Sequence, residues 1–545
     1  MYDDLSRLRI EASTVGDKLL ATADRWPERP CLIFPESRHS WSSMVNAAYT
    51  RARSLHALGV RPGDHVGVLM PNCIEYMELV FGCSLLGAVS VLMNARYKPP
   101  ELAYVVENAD LKVIITTDLI SEYANFGQLL HDAFPELGQA RSQACSTDLN
   151  LKAAPRLKHL VMLGNITPQG FISEQEFTRG SEVPAPIDAL RAGVRISDPA
   201  IMMYTSGTTA NPKGCLLSHE ILVRNGINMN RQRYFMTETD VFWAPLPMFH
   251  MAAILPAMAC LDAGAAMASS THFDAGASLR LMEEEKVTIA FPSFPTITNE
   301  LITHPDFSTR DLSRIRRLNN VAPVDMLRRF QDAFPQAVQT GAYGMTEVGG
   351  VISFNHPSET LEQRLDACGT PFPGVTVRVV HPETLEELPV DERGELWIKG
   401  YAVFGGYYKS PEKNAESFYD GWFRTGDLCS LDNRGAIRFH GRIKDMLKVG
   451  GENVAALEIE SFLARHPAVK MAQVIGVPDP RLQEVAVAFV ELLPGETASA
   501  EDIIGFCKGQ LASFKVPRAV YFVNEWPMSS TKVQKFRLRE MIKSA

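Results

Sequence analysis

Between residues 65 and 116 the sequence alternates short apolar runs with longer amphipathic stretches, and this rhythm leaves few architectures open. Residues 65–70, 88–92 and 113–116 read as buried strands, with helix-length segments at 73–86 and 101–108 between them. A β-α-β-α-β order needs crossover connections, so the expected fold class is α/β, a mostly parallel sheet covered by helices. The theme returns at Asp240-Val-Phe-Trp-Ala-Pro, in the small-residue apolar stretch 251–261 and at Val287-Thr-Ile-Ala-Phe. Residues 126–157 are mostly polar and read as an irregular insertion. After Gly374 the pattern becomes short alternating strands, 375–380 and 394–399, broken by Pro, Asp and Gly turns, which predicts a small β subdomain. Beyond Asp445, a helix at 456–465 and strands at 471–477 and 484–492 predict a compact α+β terminal domain of about 100 residues.

At 545 residues the chain exceeds what one hydrophobic core sustains, so two or more domains are expected. A net charge of −9 with no basic run disfavours nucleic-acid binding. The nine cysteines are scattered and lack C-x-x-C pairing, which argues for a reducing compartment and against a disulfide framework or zinc site. No apolar run reaches transmembrane length, and the acidic start Met1-Tyr-Asp-Asp-Leu-Ser has no signal-peptide character. A cytoplasmic protein without an integral membrane segment is expected.

The segment Tyr204-Thr-Ser-Gly-Thr-Thr-Ala-Asn-Pro-Lys-Gly214 lies between two apolar runs. Its backbone N–H groups and the hydroxyls of Thr205, Ser206, Thr208 and Thr209 can donate to phosphate oxygens around Gly207, and Lys213 adds positive charge. It is not a Walker A loop, because the spacing of Gly207 to Lys213 differs and no hydroxyl residue follows the lysine. Its composition alone is equally that of a surface turn.

Four more segments follow in order: Tyr343-Gly-Met-Thr-Glu347, Thr425-Gly-Asp427, Gly441-Arg-Ile-Lys-Asp445 and Lys532-Val-Gln-Lys535. With the loop, they make a chain that resembles, over nearly its whole length, the adenylate-forming superfamily of acyl-CoA synthetases, peptide-synthetase adenylation domains and firefly luciferase. That resemblance implies a large AMP-binding adenylation domain, residues 1–443, and a small mobile C-terminal domain, residues 444–545. It also implies ATP, Mg2+ and CoA as cofactors, a small-molecule carboxylic acid as substrate, and it leaves a homodimer open.

Roles for individual residues follow from the same resemblance. The loop from Thr205 to Lys213 clamps the β- and γ-phosphates, Glu347 holds magnesium and Thr346 lies near the α-phosphate. A lone carboxylate is usually a solvated surface group, but Glu347 sits in a turn-rich segment where side chains can converge on a ligand. Tyr343 stacks on adenine, Asp427 accepts from the ribose hydroxyls and Arg442 contacts the ribose. Lys532 is the catalytic lysine that bridges the attacking carboxylate and the α-phosphate, whereas Lys535 reads as an exposed or peripheral lysine. Lys444 is the hinge, and Lys448, Gly450 and Gly451 belong to the face that later meets the pantetheine arm of CoA. His250 resembles a gate between nucleotide and acyl pockets.

Three departures from the family pattern stand out: Ala210 in place of a glycine, Asn319-Asn-Val-Ala-Pro323 in place of a glycine-rich run, and Ser529-Ser-Thr-Lys532, one residue short and without its glycine. Asn320 and Val321 are therefore expected to reshape the adenine or acyl pocket. Segments 250–254 and 319–323 contain no charged residue apart from His250, which favours an apolar acid: fatty, aryl, alicyclic or steroid. The implied reaction is acid–CoA ligation through an acyl-adenylate. Loading of a separate carrier protein and luciferase-type oxygenation share its first step, and a non-enzymatic nucleotide sensor would lack Glu347, Asp427, Arg442 or Lys532.

Overall fold

The computed structural model describes residues 10–139, 149–205, 211–449, 452–528 and 533–544. Two seven-stranded sheets build the large domain. In the first, Ile172–Ser173, His159–Leu163, Leu111–Thr117, His65–Leu69, Val89–Leu92, Pro199–Thr205 and Lys213–Ser218 lie side by side in that order. Neighbours are parallel except for the last pair, an antiparallel hairpin in which Thr205 faces Lys213. The second runs Val338–Thr340, Arg317–Asn320, Ile289–Ser293, Val241–Trp243, Ala266–Ala268, Pro30–Phe34, Ser37–Ser40, again parallel up to a final hairpin.

Strand side chains alternate between two cores, as the period of two requires. Ile289 and Phe291 join a central cluster between the sheets, while Ala290 joins an outer one. The central cluster contains helices Val15–Arg25, Trp41–Ala57, Ile74–Leu86, His219–Met229 and Met251–Ala263. Because it is enclosed on all sides, Ile74–Leu86 is buried along its length apart from Glu75, and its sequence is apolar all round rather than amphipathic. Helices also cover the outer face of each sheet, giving five alternating layers.

One such helix corrects the reading of residues 126–157 as an irregular insertion. The Asn125 side chain accepts from Gln128 N at 2.9 Å and caps helix Phe126–Ala133. Phe126, Leu130, Phe134 and Leu137 form a buried stripe, and Leu151, Ala154 and Leu157 join the same core. Polar residues between these positions hid the helical spacing.

A five-stranded antiparallel sheet follows as expected, with Trp422–Leu431 pairing Gly394–Gly400, Phe418–Tyr419 and Ile437–Arg442. The C-terminal region has its own α+β core. There, Gln483–Leu492 pairs with Val469–Asp479 and Ala519–Phe522, flanked by helices Ala456–Leu463, Ala500–Cys507 and Lys535–Ser544. Lys535 is not the exposed lysine expected: its Nζ lies 2.6 Å from Glu460 Oε1, and both side chains are largely buried. Glu460 Oε1 also accepts from Val474 N at 2.8 Å, so this carboxylate ties two helices and a strand together. Between the two domains, Arg465 Nε meets Asp325 Oδ2 at 2.6 Å in an exposed pair.

Candidate functional site

The turn that follows strand Ala342–Tyr343 is the pivot of the site. A Cβ on Gly344 would lie 2.0 Å from Gly350 O, so only glycine lets the chain fold back this tightly before the short 3-10 turn Thr346–Val348. Asn225 Nδ2, buried in helix His219–Met229, donates to Val348 O at 2.9 Å and Gly349 O at 3.1 Å, and Tyr401 Oη donates to Asn225 Oδ1 at 2.7 Å. Thr346 and Glu347 are thereby presented half-buried on a fixed turn.

Glu347 faces two other segments. Tyr407 Oη donates to its Oε1 at 2.9 Å, and Phe404 N donates to its backbone O at 2.9 Å. The same 404–408 segment reaches the phosphate-loop hairpin, where Tyr408 N donates to Gly214 O at 2.8 Å and Tyr407 forms a bridge with Cys215. Lys213 Nζ lies 5.8 Å from the centre of the Tyr407 ring. Burial, with the nearby Lys413 charge, lowers the Lys213 pKa against the pull of Glu416 and Glu347. Thr205 is half-buried at the other side of the hairpin, its Oγ1 4.0 Å from Cys215 Sγ.

The second cluster comes from strand register. Asp427 and Arg442 are direct cross-strand partners, and Arg442 Nε lies 2.7 Å from Asp427 Oδ1. Gly426 takes φ +69°, a left-handed turn within the strand, and Asp427 N then donates to Thr425 Oγ1 at 3.0 Å. Tyr343 Oη donates to Asp427 Oδ2 at 2.7 Å, and its buried ring lies 6.1 Å from that of the exposed Phe439. Burial first, then the Asp427 charge, pushes the Tyr343 phenol far up, so it stays a donor. Burial works against the Arg442 charge, yet Asp427 and then Glu347 outweigh it and raise its pKa. Arg442 thus couples electrostatically to both carboxylates and links the clusters.

The remaining expected residues are placed as follows. His250 is half-buried at the start of helix Met251–Ala263, its ring 4.8 Å from Phe249. A Cβ on Gly350 would come within 3.0 Å of Met251 Cβ, so His250 stands beside the pivot turn. Lys444 lies in the 3-10 turn Ile443–Asp445, immediately after Arg442. Lys448 is exposed on strand Met446–Val449, its backbone N donating to Glu484 Oε2 at 2.8 Å. Ser206, Gly207, Thr208, Thr209, Ala210, Gly450, Gly451 and Lys532 lie outside the described residues.

Asn320 is held in the protein interior by its amide hydrogen bonds. It is fully buried, accepting from Thr298 Oγ1 at 2.6 Å and donating to Gln339 Oε1 at 3.2 Å, while Asn319 Nδ2 donates to Thr340 O at 2.9 Å. A strand interior holds these amides, and only Val321, 49% exposed, turns outward. Tyr407, Asn225 and Tyr401 escaped the sequence reading. The one signal for Tyr407 was its place after Gly405-Gly406, and for Asn225 an amide set among apolar helix residues.

Two stacked parallel sheets, a β subdomain and a separate α+β domain define an adenylating-enzyme fold, with two carboxylates and two cations brought together at the junction of its parts. The chain belongs to the AMP-binding enzyme family, whose model matches residues 19–408, and the model of the AMP-binding enzyme C-terminal domain matches residues 458–532. It is 33% identical over 538 residues to YngI of Bacillus subtilis (strain 168), a chain assigned by name as an acyl-CoA synthetase, with 97% of each chain covered. The mitochondrial medium-chain acyl-CoA ligase of Mus musculus is 32% identical over 545 residues, covering 97% of this chain and 88% of that one. The solved anthranilate CoA ligase AuaEII in complex with anthranoyl-AMP superimposes with a TM-score of 0.86 at 26% identity, covering 99% of both chains.

Proposed function

We propose that this chain is an AMP-forming acid–CoA ligase acting on an apolar carboxylic acid. The carboxylate attacks the α-phosphate of ATP to give acyl-adenylate and pyrophosphate; the CoA thiolate then attacks the acyl carbon, forming the thioester and releasing AMP. The observation that carries the reading is the Asp427–Arg442 pair with Tyr343, next to the turn that presents Glu347, which Tyr407 ties to the hairpin bearing Lys213.

Within this reading, Asp427 accepts from the ribose hydroxyls with Arg442 beside it, and Tyr343 lines the adenine pocket. Thr205, Ser206, Gly207, Thr208, Thr209 and Lys213 hold the β- and γ-phosphates, and Thr346 lies at the α-phosphate. Lys532 stabilises charge as pyrophosphate leaves. His250 divides nucleotide from acyl pocket, and Lys448, Gly450 and Gly451 receive pantetheine after the terminal domain turns about Lys444, which marks the boundary between residues 1–443 and 444–545.

The donor set fits magnesium. No group of three or more His, Cys, Asp or Glu side chains converges among the described residues, so Glu347 is not part of a carboxylate cage there, and Mg2+ is commonly held by one or two carboxylates together with substrate phosphates. Glu347 would hold it, and the ion would supply neutralisation of the polyphosphate charge.

An apolar acid is supported by helix Met251–Ala263, apolar along nearly its whole length, and by the two asparagines committed to the sheet rather than to a pocket. The medium-chain and anthranilate ligases to which the chain is similar bracket the range from alkyl to aryl acids. A cytoplasmic setting is supported by the eight cysteines among the described residues, all of them free, and no helix among the described residues is long and apolar enough to cross a membrane. The test is AMP release with CoA over a panel of fatty, aryl and steroid acids. AMP and thioester in equal amounts are expected; release of ADP and phosphate instead would overturn the proposal.

A further inference from the structure

We propose that Tyr407 is a positioning residue that sets Glu347 and Lys213 in register, its hydroxyl fixing the carboxylate and its ring bounding the lysine. This rests on the reading of Glu347 as the carboxylate that holds magnesium with the polyphosphate. Glu347 sits on a half-buried turn where its own torsions leave the carboxylate several orientations, and a single-carboxylate site depends on that orientation more than a cage would. Tyr407 Oη donates to one oxygen, Oε1, at 2.9 Å, which leaves Oε2 to face a cation.

Tyr407 is itself held on every side. Gly406 takes φ +114° and brings the chain against Asn414, whose Oδ1 accepts from Tyr407 N at 2.7 Å and whose Nδ2 donates to Tyr407 O at 2.9 Å. Phe404 packs edge-on at 4.8 Å. The segment is bonded to the Glu347 turn through Phe404 N and to the Lys213 hairpin through Tyr408 N, so a shift in either would be felt by the other. Burial and the Glu347 charge keep the phenol protonated and therefore a donor. Packing alone would need the ring but not the hydroxyl, and the hydroxyl is aimed at the one carboxylate of the turn.

The experiment is calorimetric titration of ATP into the full chain, with EDTA and with excess Mg2+, for wild type, Y407F, E347Q and the double variant. In E347Q the gain in ATP affinity on adding Mg2+ should disappear. In Y407F that gain should fall ~10-fold, while metal-free affinity changes less than ~2-fold, and the double variant should match E347Q. If E347Q loses the gain and Y407F keeps it, Tyr407 does not position Glu347 and the proposal falls while the magnesium reading stands. If E347Q keeps the gain, the magnesium reading falls and takes the proposal with it. Equal weakening in Y407F with and without Mg2+ would mark a packing role and also overturn it.

Discussion

Asp427→Asn separates the binding role of this carboxylate from its structural one. The amide is nearly isosteric and still offers an oxygen to Tyr343 Oη, so the buried phenol keeps its partner, but the charge facing Arg442 is gone. The Arg442 side chain is 35% exposed and can turn toward water, but Asp427 is only 3% exposed and its new NH2 would face the Arg442 Nε donor, so the stability loss should be about 1 to 2 kcal/mol. A hydrogen bond from ribose to a buried charged acceptor contributes more, about 1.5 to 3 kcal/mol, or roughly a 10- to 150-fold rise in Kd for ATP. Binding should therefore fail before folding does. Asp427→Ala adds a second loss, since Tyr343 Oη would be buried without its acceptor at a cost of about 1 to 3 kcal/mol in stability. Calorimetric titration with ATP well below the melting transition, beside scanning melts of all three proteins, reads both terms. Pyrophosphate binding serves as the control that should not change. A folded Asp427→Asn protein that binds ATP like wild type would refute the reasoning.

His219 is fully buried, and burial lowers its pKa to about 4 from an ordinary 6.5. The neutral ring is thus favoured by the fold: stability is complete above pH 6.5 and is lost as pH falls toward 4, by at most about 3 kcal/mol. His219→Gln should flatten the fall in melting temperature between pH 7 and 4.5 relative to wild type; parallel curves would count against it. Lys535→Met strands the largely buried Glu460 and should destabilise the C-terminal domain by about 3 to 5 kcal/mol, whereas Glu460→Leu with Lys535→Met should recover only part of that, because Val474 N loses its acceptor at about 1 to 3 kcal/mol, as read by limited proteolysis and melting. Lys532→Ala should stop adenylate formation yet still convert supplied acyl-adenylate to thioester, and Gly451→Ile should do the reverse. Equal loss of both steps in both folded variants would exclude alternation of the two faces.

The strands from His65 to Thr117 were legible because each element carries its own period and the βαβ rule fixes how they join. Asp427 and Arg442 were each legible from a short motif, but their pairing was not, since it depends on antiparallel register shifted by an irregularity at Leu428 and Cys429. Tyr407 was missed for a similar reason: its hydroxyl partner is 60 residues away, and the glycine pair before it marks a turn but not that partner. Lys535 was misread because a lysine is exposed by default, and only the fold brings Glu460 beneath it. The helix at Phe126–Ala133 failed through dilution of its apolar stripe.

The place of the N-terminal hairpin in the second sheet bears on how the chain comes off the ribosome. Strand Pro30–Phe34 finds its parallel neighbour only in Ala266–Ala268, and the indole N–H of Trp41, just past the hairpin, is satisfied by Gly264 O, 223 residues further on. At 5 to 20 residues per second, roughly 10 to 45 s separate synthesis of the two. Throughout that interval Cys31-Leu32-Ile33-Phe34 is an apolar strand with an open edge, the kind of segment that chaperones shield and that aggregates when they do not. Yield of native protein should therefore depend more steeply on elongation rate and holdase supply than the equilibrium stability of the finished molecule would suggest.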